Sequence, residues 1–562
     1  MGGMMNKLFG NKCVNCIVLF TLLSLPFLVK VANYDIWYHL VIGRKIADIA
    51  AIPTSEFYIY TLLGQKTAFH EWGFGLFYFL IYKFLGFYGM NIFNAAIGGS
   101  TLFILFNSCK TKIRPIILFI FVCITASFMY ARMVYRPENI LFLAMAIELV
   151  LLEKYYENKN WKILIPIPFI TLALNFFHPS AIFVLAVFAV YIIQYLYEED
   201  HFFKNNKIKP ILSIFIIAIV TSCLNPYGIQ QLLLPFNFVL ETEILRTTME
   251  FTPTLQTPYK YPFIIFSIVF LGSILIKKNR KIVYFLLFLM FFILAYKFNR
   301  NLALFSIVMF VPGVKGYNEM ISWFSSKYTK IINILLNIIL IVLIVTSIYL
   351  VNIRDIWGLG VDLNPLPSRS VALLQSANFN GNIFNLYRYG GYLGWELYDK
   401  HLVAIDGRHY TDNNSQVVYD NLLYMTGNWK TYISDKSLKI VVIPTLLFNS
   451  EVFPIIHYLS KSNEWSVVEQ DVFAFTFVRS SLLNNKAIRT INKDILWTDV
   501  IRKSAGFTDD KIKNINFGIA YYKLRKYDKA LAHMKIYQSY VPDNESINLV
   551  IDKLEKGERP SR

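Results

Sequence analysis

At 562 residues, 55% hydrophobic and 17% aromatic, the chain is too apolar for an ordinary soluble protein, and long apolar stretches recur as far as residue 351. Its net charge of +18 would suggest a nucleic-acid partner in a soluble protein. In a chain of this hydropathy the charge is explained by Lys and Arg retained in cytoplasmic loops, so nucleic acid is excluded. None of the five cysteines lies beyond Cys223, so the C-terminal part is not stapled by disulfides, and Cys13-x-x-Cys16 supplies only two of the four ligands of a structural zinc.

Apolar spans of membrane length are predicted at 13–32, 89–108, 115–131, 139–153, 163–177, 180–197, 210–226, 262–276, 282–297, 301–314 and 331–351. The first span lacks a small-residue cleavage site, so it reads as a retained anchor that leads into Asn33-Tyr34-Asp35-Ile36-Trp37-Tyr38-His39. An acid and a histidine therefore stand at the membrane boundary, where ionisable groups are expensive and suggest a site; interfacial aromatic anchoring is the alternative.

A further apolar run, 72–88, follows His70-Glu71-Trp72 and is ambiguous by itself. If it does not cross, the clusters Lys110/Lys112/Arg114, Lys154/Lys159/Lys162, Lys204/Lys207/Lys209, Lys277/Lys278/Arg280/Lys281 and Lys315/Lys327/Lys330 share one side with the N-terminus. The opposite loops then carry only Arg132, Arg136, Arg246, Lys260, Lys297 and Arg300 after residue 88. The positive-inside rule favours this arrangement: eleven spans, N-terminus cytoplasmic, with 72–88 in the outer interface, where Gly73, Gly75 and Lys83 interrupt it. Some spans are short and would need tilt or local thinning.

That topology gathers several polar helix ends on the outer side: the 33–71 loop, Arg136-Pro137-Glu138-Asn139, His178-Pro179-Ser180, Asn225-Pro226-Tyr227-Gly228 and Asn299-Arg300-Asn301. Each could simply terminate a span, since Pro, Gly and Asn are end signals. Together they present carboxylates, histidines and arginines to one compartment.

After 351 the pattern changes. Predicted strands at Asn382–Tyr387, Leu402–Asp406, Lys439–Pro444, Trp465–Gln470 and Ala474–Val478 alternate with helices near 391–399, 414–425 and 451–460, as in a small α/β domain over 352–482. Within it, Asn385…Gly390-Gly391-Tyr392 and Asp406-Gly407-Arg408 read as turns or as a binding crevice at strand ends. In the helical tail, 483–562, Gly518, Tyr521, Ala530 and Pro542 fall at the spacings of one tetratricopeptide unit. Phe517, Tyr527 and Met534 occupy its apolar positions. One such unit must pack on flanking helices (491–506, 544–556) or on a protein partner.

A transferase acting at an outer membrane face on a lipid-phosphate donor needs a carboxylate for the acceptor's proton, cationic stabilisation of the departing phosphate, and an apolar groove. Asp35 suits the first role, assisted by Glu71 and Glu138; Arg136, Arg300 and His178 are candidates for the second. Asp35, Glu71 and His70, with Glu138, offer the mixed oxygen and nitrogen ligands of a divalent cation such as Mg, Mn or Zn.

The motifs Asp35-Ile-Trp37-Tyr-His39-Leu40-Val-Ile-Gly43, Pro53-Thr-Ser-Glu-Phe57 with a displaced Thr61, and His70-Glu71-Trp72 resemble a bacterial group within the GT-C superfamily of polyprenyl-phosphate-sugar-dependent glycosyltransferases. Its later markers recur as Arg136-Pro137, His178 after Asn175, Asn225-Pro226-Tyr227-Gly228, Arg300-Asn301 before Pro312, Asn385…Gly390-Gly391-Tyr392-Leu393 and Asp406-Gly407-Arg408. Two departures stand out: Met249-Glu250-Phe251-Thr252 replaces an acidic Trp-containing segment, and Pro179 follows His178 where small residues are common.

The resemblance implies a polytopic GT-C-like membrane domain over 1–351, with interfacial helices in the first outer loop (33–88) and Asp35 as its key carboxylate. It further implies a hexosyltransferase-like enzyme of the bacterial inner membrane, with the α/β and tail domains extracytoplasmic. The partners would be the bilayer, a polyprenyl-phosphate- or pyrophosphate-linked sugar, and a protein or envelope-glycan acceptor, with a protein engaged through the tetratricopeptide-like tail. His39 is expected to orient the loop beside His70. A non-catalytic GT-C-like scaffold that recruits partners for envelope assembly is the competing reading.

Overall fold

The computed structural model describes residues 12–109, 113–198, 208–240, 251–275, 281–323, 331, 334–342, 345, 356–364, 366–398, 400–408, 414–446, 451–471, 473–483 and 488–558. Met249 and Glu250, most of the span expected at 331–351, and the basic residues Lys110, Lys112, Lys204, Lys207, Lys277, Lys278, Arg280, Lys327 and Lys330 lie outside them. The chain folds as two compact units. One contains residues up to 53 and 68–362; the other contains 54–67 and 363–562.

The first unit is helical: α1 (Lys12–Ser24), α2 (Asp35–Ile49), α3 (Trp72–Cys109), α4 (Pro115–Tyr130), α5 (Glu138–Asn158), α6 (Pro166–Phe177), α7 (Ala181–Glu198), α8 (Ile208–Thr221), α9 (Ile229–Leu240), α10 (Lys260–Leu275), α11 (Ile282–Lys297), α12 (Leu302–Val308) and α13 (Phe310–Trp323). Proline at the first turn of α4 and α6 costs no hydrogen bond there and presets the helical φ. The interior is close-packed aromatic and aliphatic side chains, with Phe270 against Phe305 at 5.3 Å and against Phe121 at 5.9 Å between ring centres.

Among the described residues two helices, Trp72–Cys109 and Ala181–Glu198, are long and apolar enough to cross a membrane, and six shorter apolar helices accompany them. Several boundaries differ from those expected. The span predicted at 13–32 is α-helical only to Ser24. A 3-10 turn at Leu25–Phe27 carries Pro26, and Val29 and Val31 then bridge Trp357 and Val361 as extended chain. The span predicted at 301–314 breaks at Met309 and continues as α13 to Trp323. Helix α9, with Pro235 inside it, has no counterpart among the predicted spans.

The ambiguous run 72–88 contains a break in the helix at Gly86. Its φ of 62° and ψ of −162° interrupt α3, separating an initial helical segment from the one that continues to Cys109. Only glycine adopts such angles cheaply.

The second unit holds a mixed four-stranded sheet, β1 (Asn382–Asn385), β2 (Leu438–Ile443), β3 (Trp465–Gln470) and β4 (Phe475–Arg479), in the order β1-β2-β4-β3. β1 pairs β2 in parallel; β4 pairs both β2 and β3 antiparallel. The expected strand at Leu402–Asp406 contributes only Val403, which bridges Ile383 on one side and Ile59 on the other. Helices α14 (Ser368–Ala377), α15 (Gly390–Leu397), α16 (Asn414–Tyr424), α17 (Trp429–Ser434) and α18 (Pro454–Lys461) belong to this part. Four more follow: α19 (Asp494–Ser504), α20 (Asp510–Lys523), α21 (Tyr527–Tyr540) and α22 (Glu545–Glu555). α20 and α21 form a tight hairpin, closed by Arg525 at φ 58°, with Ala530 and Met534 buried in it.

Candidate functional site

The site is built where helices of the first unit end. Asn33 accepts the Asp35 N–H at 3.0 Å, which starts α2 with Asp35 in its first turn. The Asn33 amide also donates to the Val134 carbonyl at 2.8 Å, tying the entry to α2 to the turn before α5. In that turn Tyr135 adopts φ 59°, an uncommon conformation for a bulky residue. It is held by hydrogen bonds from its hydroxyl to the Val29 carbonyl (2.6 Å) and from Asn91 to its oxygen (2.5 Å). The result brings Arg136 Nη2 to 3.4 Å from Asp35 Oδ2.

Glu71 precedes α3. The Phe69 N–H donates to the Tyr227 hydroxyl at 2.8 Å, and Gln231 of α9 contacts both the His70 carbonyl (3.0 Å) and His70 Nδ1 (2.7 Å). Tyr227 and Gln231 thus fix the His70-Glu71-Trp72 turn, and His70 faces Gln231 while Glu71 turns toward two other histidines. Glu71 Oε2 lies 3.6 Å from His39 Nε2, and Oε1 lies 3.5 Å from His178 Nε2. His39 is buried, with its ring edge-on to Phe74 at 4.7 Å. His178 caps the end of α6 with its N–H on the Leu174 carbonyl.

Glu138, at the start of α5, sits between two arginines. Arg132 donates to Oε1 through Nε at 2.5 Å and also approaches through Nη2; Arg300 donates to Oε2 at 2.8 Å. Arg300 additionally lies 5.2 Å from the centre of the Phe251 ring, and Asn299 donates to the Thr252 carbonyl, so the departed segment 251–252 still supports this corner. Arg132, Tyr135 and Gln231 were not singled out from the sequence. An arginine two residues past the end of α4 carries no local signal that it will reach a carboxylate on the next helix.

Exposure separates the groups by role. The side chains of Asp35 and Glu71 are 29% and 27% exposed and that of Arg300 is 25% exposed, whereas Glu138 retains 8%. Asp35, Glu71, Arg136 and Arg300 are therefore partly exposed, and Glu138 with Arg132 forms the buried support beside them.

Burial, and then the negative charges of Asp35 and Glu138, raise Glu71 to about 8 against the opposing effect of Arg300 and Arg136. Burial pushes His178 down to about 4, so its ring is neutral near pH 7; burial also lowers His70. The cluster thus holds balanced carboxylates and arginines together with one carboxyl poised to keep its proton. Among the described residues no group of three or more His, Cys, Asp or Glu side chains is placed to hold a metal ion. The expected Asp35, Glu71 and His70 set is split by the His70–Gln231 contact.

In the second unit the motifs around Asn385, Gly390 and Asp406 lock one another. A Cβ on Gly390 would stand 1.8 Å from the Ile405 carbonyl oxygen, and Asn385 hydrogen-bonds Leu386, Ile405 and Ala404 at 2.9 Å each. Asp406 accepts from the Tyr58 hydroxyl and from Arg408, and Arg408 Nη2 reaches Glu56 Oε2 at 3.1 Å. Glu56 Oε1 accepts the N–H groups of Phe57, Tyr58 and Ile59, and Thr61 donates to the Ala404 carbonyl. These residues fasten 54–67 into the unit.

No protein-family model matches the chain, and no curated protein sequence matches it. Solved structures do. The crystal structure of the apo oligosaccharyltransferase of Archaeoglobus fulgidus superposes with a TM-score of 0.56 at 11% identity, covering 77% of this chain and 69% of that one. The archaeal oligosaccharyltransferase AglB from Archaeoglobus fulgidus, in complex with an inhibitory peptide and a dolichol-phosphate, gives 0.57 at 9% identity, covering 95% and 86%. The chain shares its fold with these oligosaccharyltransferase structures.

Proposed function

We propose that the protein is a membrane glycosyltransferase that moves a sugar from a polyprenyl phosphate or pyrophosphate to an acceptor at the outer face of the inner membrane. The observation that carries this reading is the facing of Asp35 and Arg136 at 3.4 Å beside Glu71 and Arg300 on one partly exposed surface of a GT-C fold. In the proposed step the acceptor hydroxyl or amide attacks the anomeric carbon of the donor sugar. The bond from that carbon to the phosphate oxygen breaks, with its electron pair leaving on the phosphate. Asp35 takes the acceptor's proton. Arg136 and Arg300 engage the departing phosphate, for which the guanidinium fork is suited. Glu71, largely protonated near pH 7, donates a hydrogen bond to the same group, and neutral His178 on one of its oxygens with His39 on the other keeps it aimed. No step is routed through a metal.

The neighbour's dolichol-phosphate and inhibitory peptide support a polyprenyl-phosphate donor and a peptide acceptor here. The reading includes eleven spans with a cytoplasmic N-terminus, and a tetratricopeptide-like hairpin (α20 and α21) that receives a protein partner. Membranes from cells overexpressing the chain, supplied with a panel of radiolabelled polyprenyl-phosphate sugars, test it. Wild type transfers label from one of them, and Asp35→Asn, inserted equally well, does not. Full transfer by Asp35→Asn overturns the mechanism.

A further inference from the structure

A cavity with a lining more apolar than polar lies in the first unit, at the other end of α2 from Asp35. It encloses about 1040 Å³ and is lined by Arg44 and Asp48 of α2, by Phe79, Tyr82 and Lys83 before the break in α3, and by residues 86–88 and 359–361. Arg44 and Asp48, four residues apart, share one face of α2. Beside that face α2 meets α3 closely, since a Cβ on Gly43 would stand 2.7 Å from the Cβ of Phe79. The floor is fixed: the Gly360 N–H donates to Asn91 at 2.6 Å, Asn91 donates back to the Gly360 carbonyl at 3.1 Å, and Val361 bridges Val31. Tyr82 packs on Phe87 at 4.8 Å and Trp37 on Phe87 at 5.8 Å, giving the wall an aromatic lining.

Two features identify the occupant. The rim of the cavity at the Gly86 break carries large apolar side chains turned outward: Phe84, Leu85 and Tyr88 are 75%, 66% and 63% exposed. In a chain whose 72–88 segment lies in the outer interface, such a rim meets lipid. On its lining, two cations, half-buried Arg44 and exposed Lys83, stand with the exposed carboxylate of Asp48, a complement to a group carrying both a phosphate and an ammonium. Arg44 is nine residues along α2 from Asp35, about 13 Å at the helical rise, so one phosphate cannot serve both places.

We propose that this cavity binds the headgroup of an amine-bearing membrane phospholipid of the phosphoethanolamine type. Its phosphate lies on Arg44 and Lys83, its ammonium lies on Asp48, and its chains run over Phe84, Leu85 and Tyr88. The proposal rests on the membrane reading of 72–88, not on the chemistry at Asp35.

Native mass spectrometry of the full-length chain in detergent, titrated with short-chain phosphatidylethanolamine, phosphatidylglycerol, phosphatidylcholine and inorganic phosphate, tests it. Wild type retains one phosphatidylethanolamine in preference to the other lipids. R44Q/K83Q binds it at least tenfold more weakly while eluting as a monodisperse species, Lys83→Arg, which keeps the charge, binds as wild type does, and Asp48→Asn loses the preference over phosphatidylglycerol. Equal retention by R44Q/K83Q, a wild-type preference for phosphatidylglycerol, or equal displacement by inorganic phosphate overturns the proposal. Sugar transfer measured on the same samples keeps the two readings apart: Asp35→Asn loses transfer but keeps the lipid. Carbonate washing of membranes tests the membrane reading alone.

Discussion

Gly43 of α2 lies against the Gly75 carbonyl of α3 so closely that a Cβ on Gly43 would stand 2.1 Å from that oxygen. Gly75 is equally constrained, at 2.6 Å from the His39 carbonyl. This backbone-to-backbone crossing sets the separation of the helix that begins with Asp35 from the helix that follows Glu71. A side chain here must displace backbone, which cannot rotate aside. Gly43→Val is expected to cost about 1–3 kcal/mol as overpacking and to spread the two carboxylates. A lowered melting temperature together with lost transfer checks it, and a variant with wild-type values for both removes the crossing from the argument.

Asp35→Asn removes the proposed proton acceptor while leaving a side chain of the same shape beside Arg136. Loss of a general base lowers rates by roughly 10²–10⁴-fold. Transfer should fall by that amount with membrane insertion and donor binding retained, as read by label incorporation and by donor-lipid binding on the same preparation. A drop confined to donor binding would reassign Asp35 to holding the phosphate-binding Arg136 in place.

How much of this was legible in the chain follows from what each residue's neighbours are. Asp35 and Glu71 stand out because an acid at the end of an apolar run is conspicuous, and the charge balance of the loops groups them on one side. His70, adjacent to Glu71 in sequence, diverges from it in space because successive residues at a helix start point to different sides, and Gln231, far along the chain, claims it. Arg132 is invisible for the same reason, its carboxylate partner being defined by the turn at Tyr135. The motif glycines and Asn385 read as turns, but their role is close approach: Gly390 accommodates Ile405, and Gly43 accommodates Gly75. That residues 54–67 fold with the second unit could not be read locally, since it depends on Ile59 bridging Val403 and on the buried Glu56, Arg408 and Asp406 set.

Arg132 and Arg300 share Glu138, so neither arginine is redundant electrostatically. Arg132→Gln leaves a buried carboxylate with half its charge compensation. Breaking a buried pair costs about 3–5 kcal/mol, and the remaining Arg300 should hold the loss near the lower figure. Arg300 is also drawn further onto Glu138 and away from the open face, so donor affinity falls as well as stability. Thermal unfolding in detergent reads the first effect and the apparent KM for the donor lipid reads the second. An unchanged KM with lowered stability would confine Arg132 to support.

Glu71 gives the reaction a pH signature whose sign is fixed by the direction of its shift. Its folded value, about 8, lies above the ordinary 4.5, so the folded protein binds one more proton than the unfolded chain between those values. Folding is favoured at low pH, and that contribution is lost as pH rises through 8. The same deprotonation removes the hydrogen-bond donor proposed for the phosphate and places a third negative charge beside Asp35 and Glu138. The kcat/KM for transfer should therefore fall as pH rises through about 8, approaching tenfold per unit beyond it. Glu71→Gln, neutral throughout and still a donor, should keep most of the transfer activity at pH 7 and lose both the alkaline fall in rate and the decline in melting temperature between about pH 4.5 and 8. Glu71→Ala, with no donor, should lose transfer at every pH. A Glu71→Gln enzyme that retains the wild-type alkaline limb would assign that titration to another group and leave Glu71 without its proton in the mechanism.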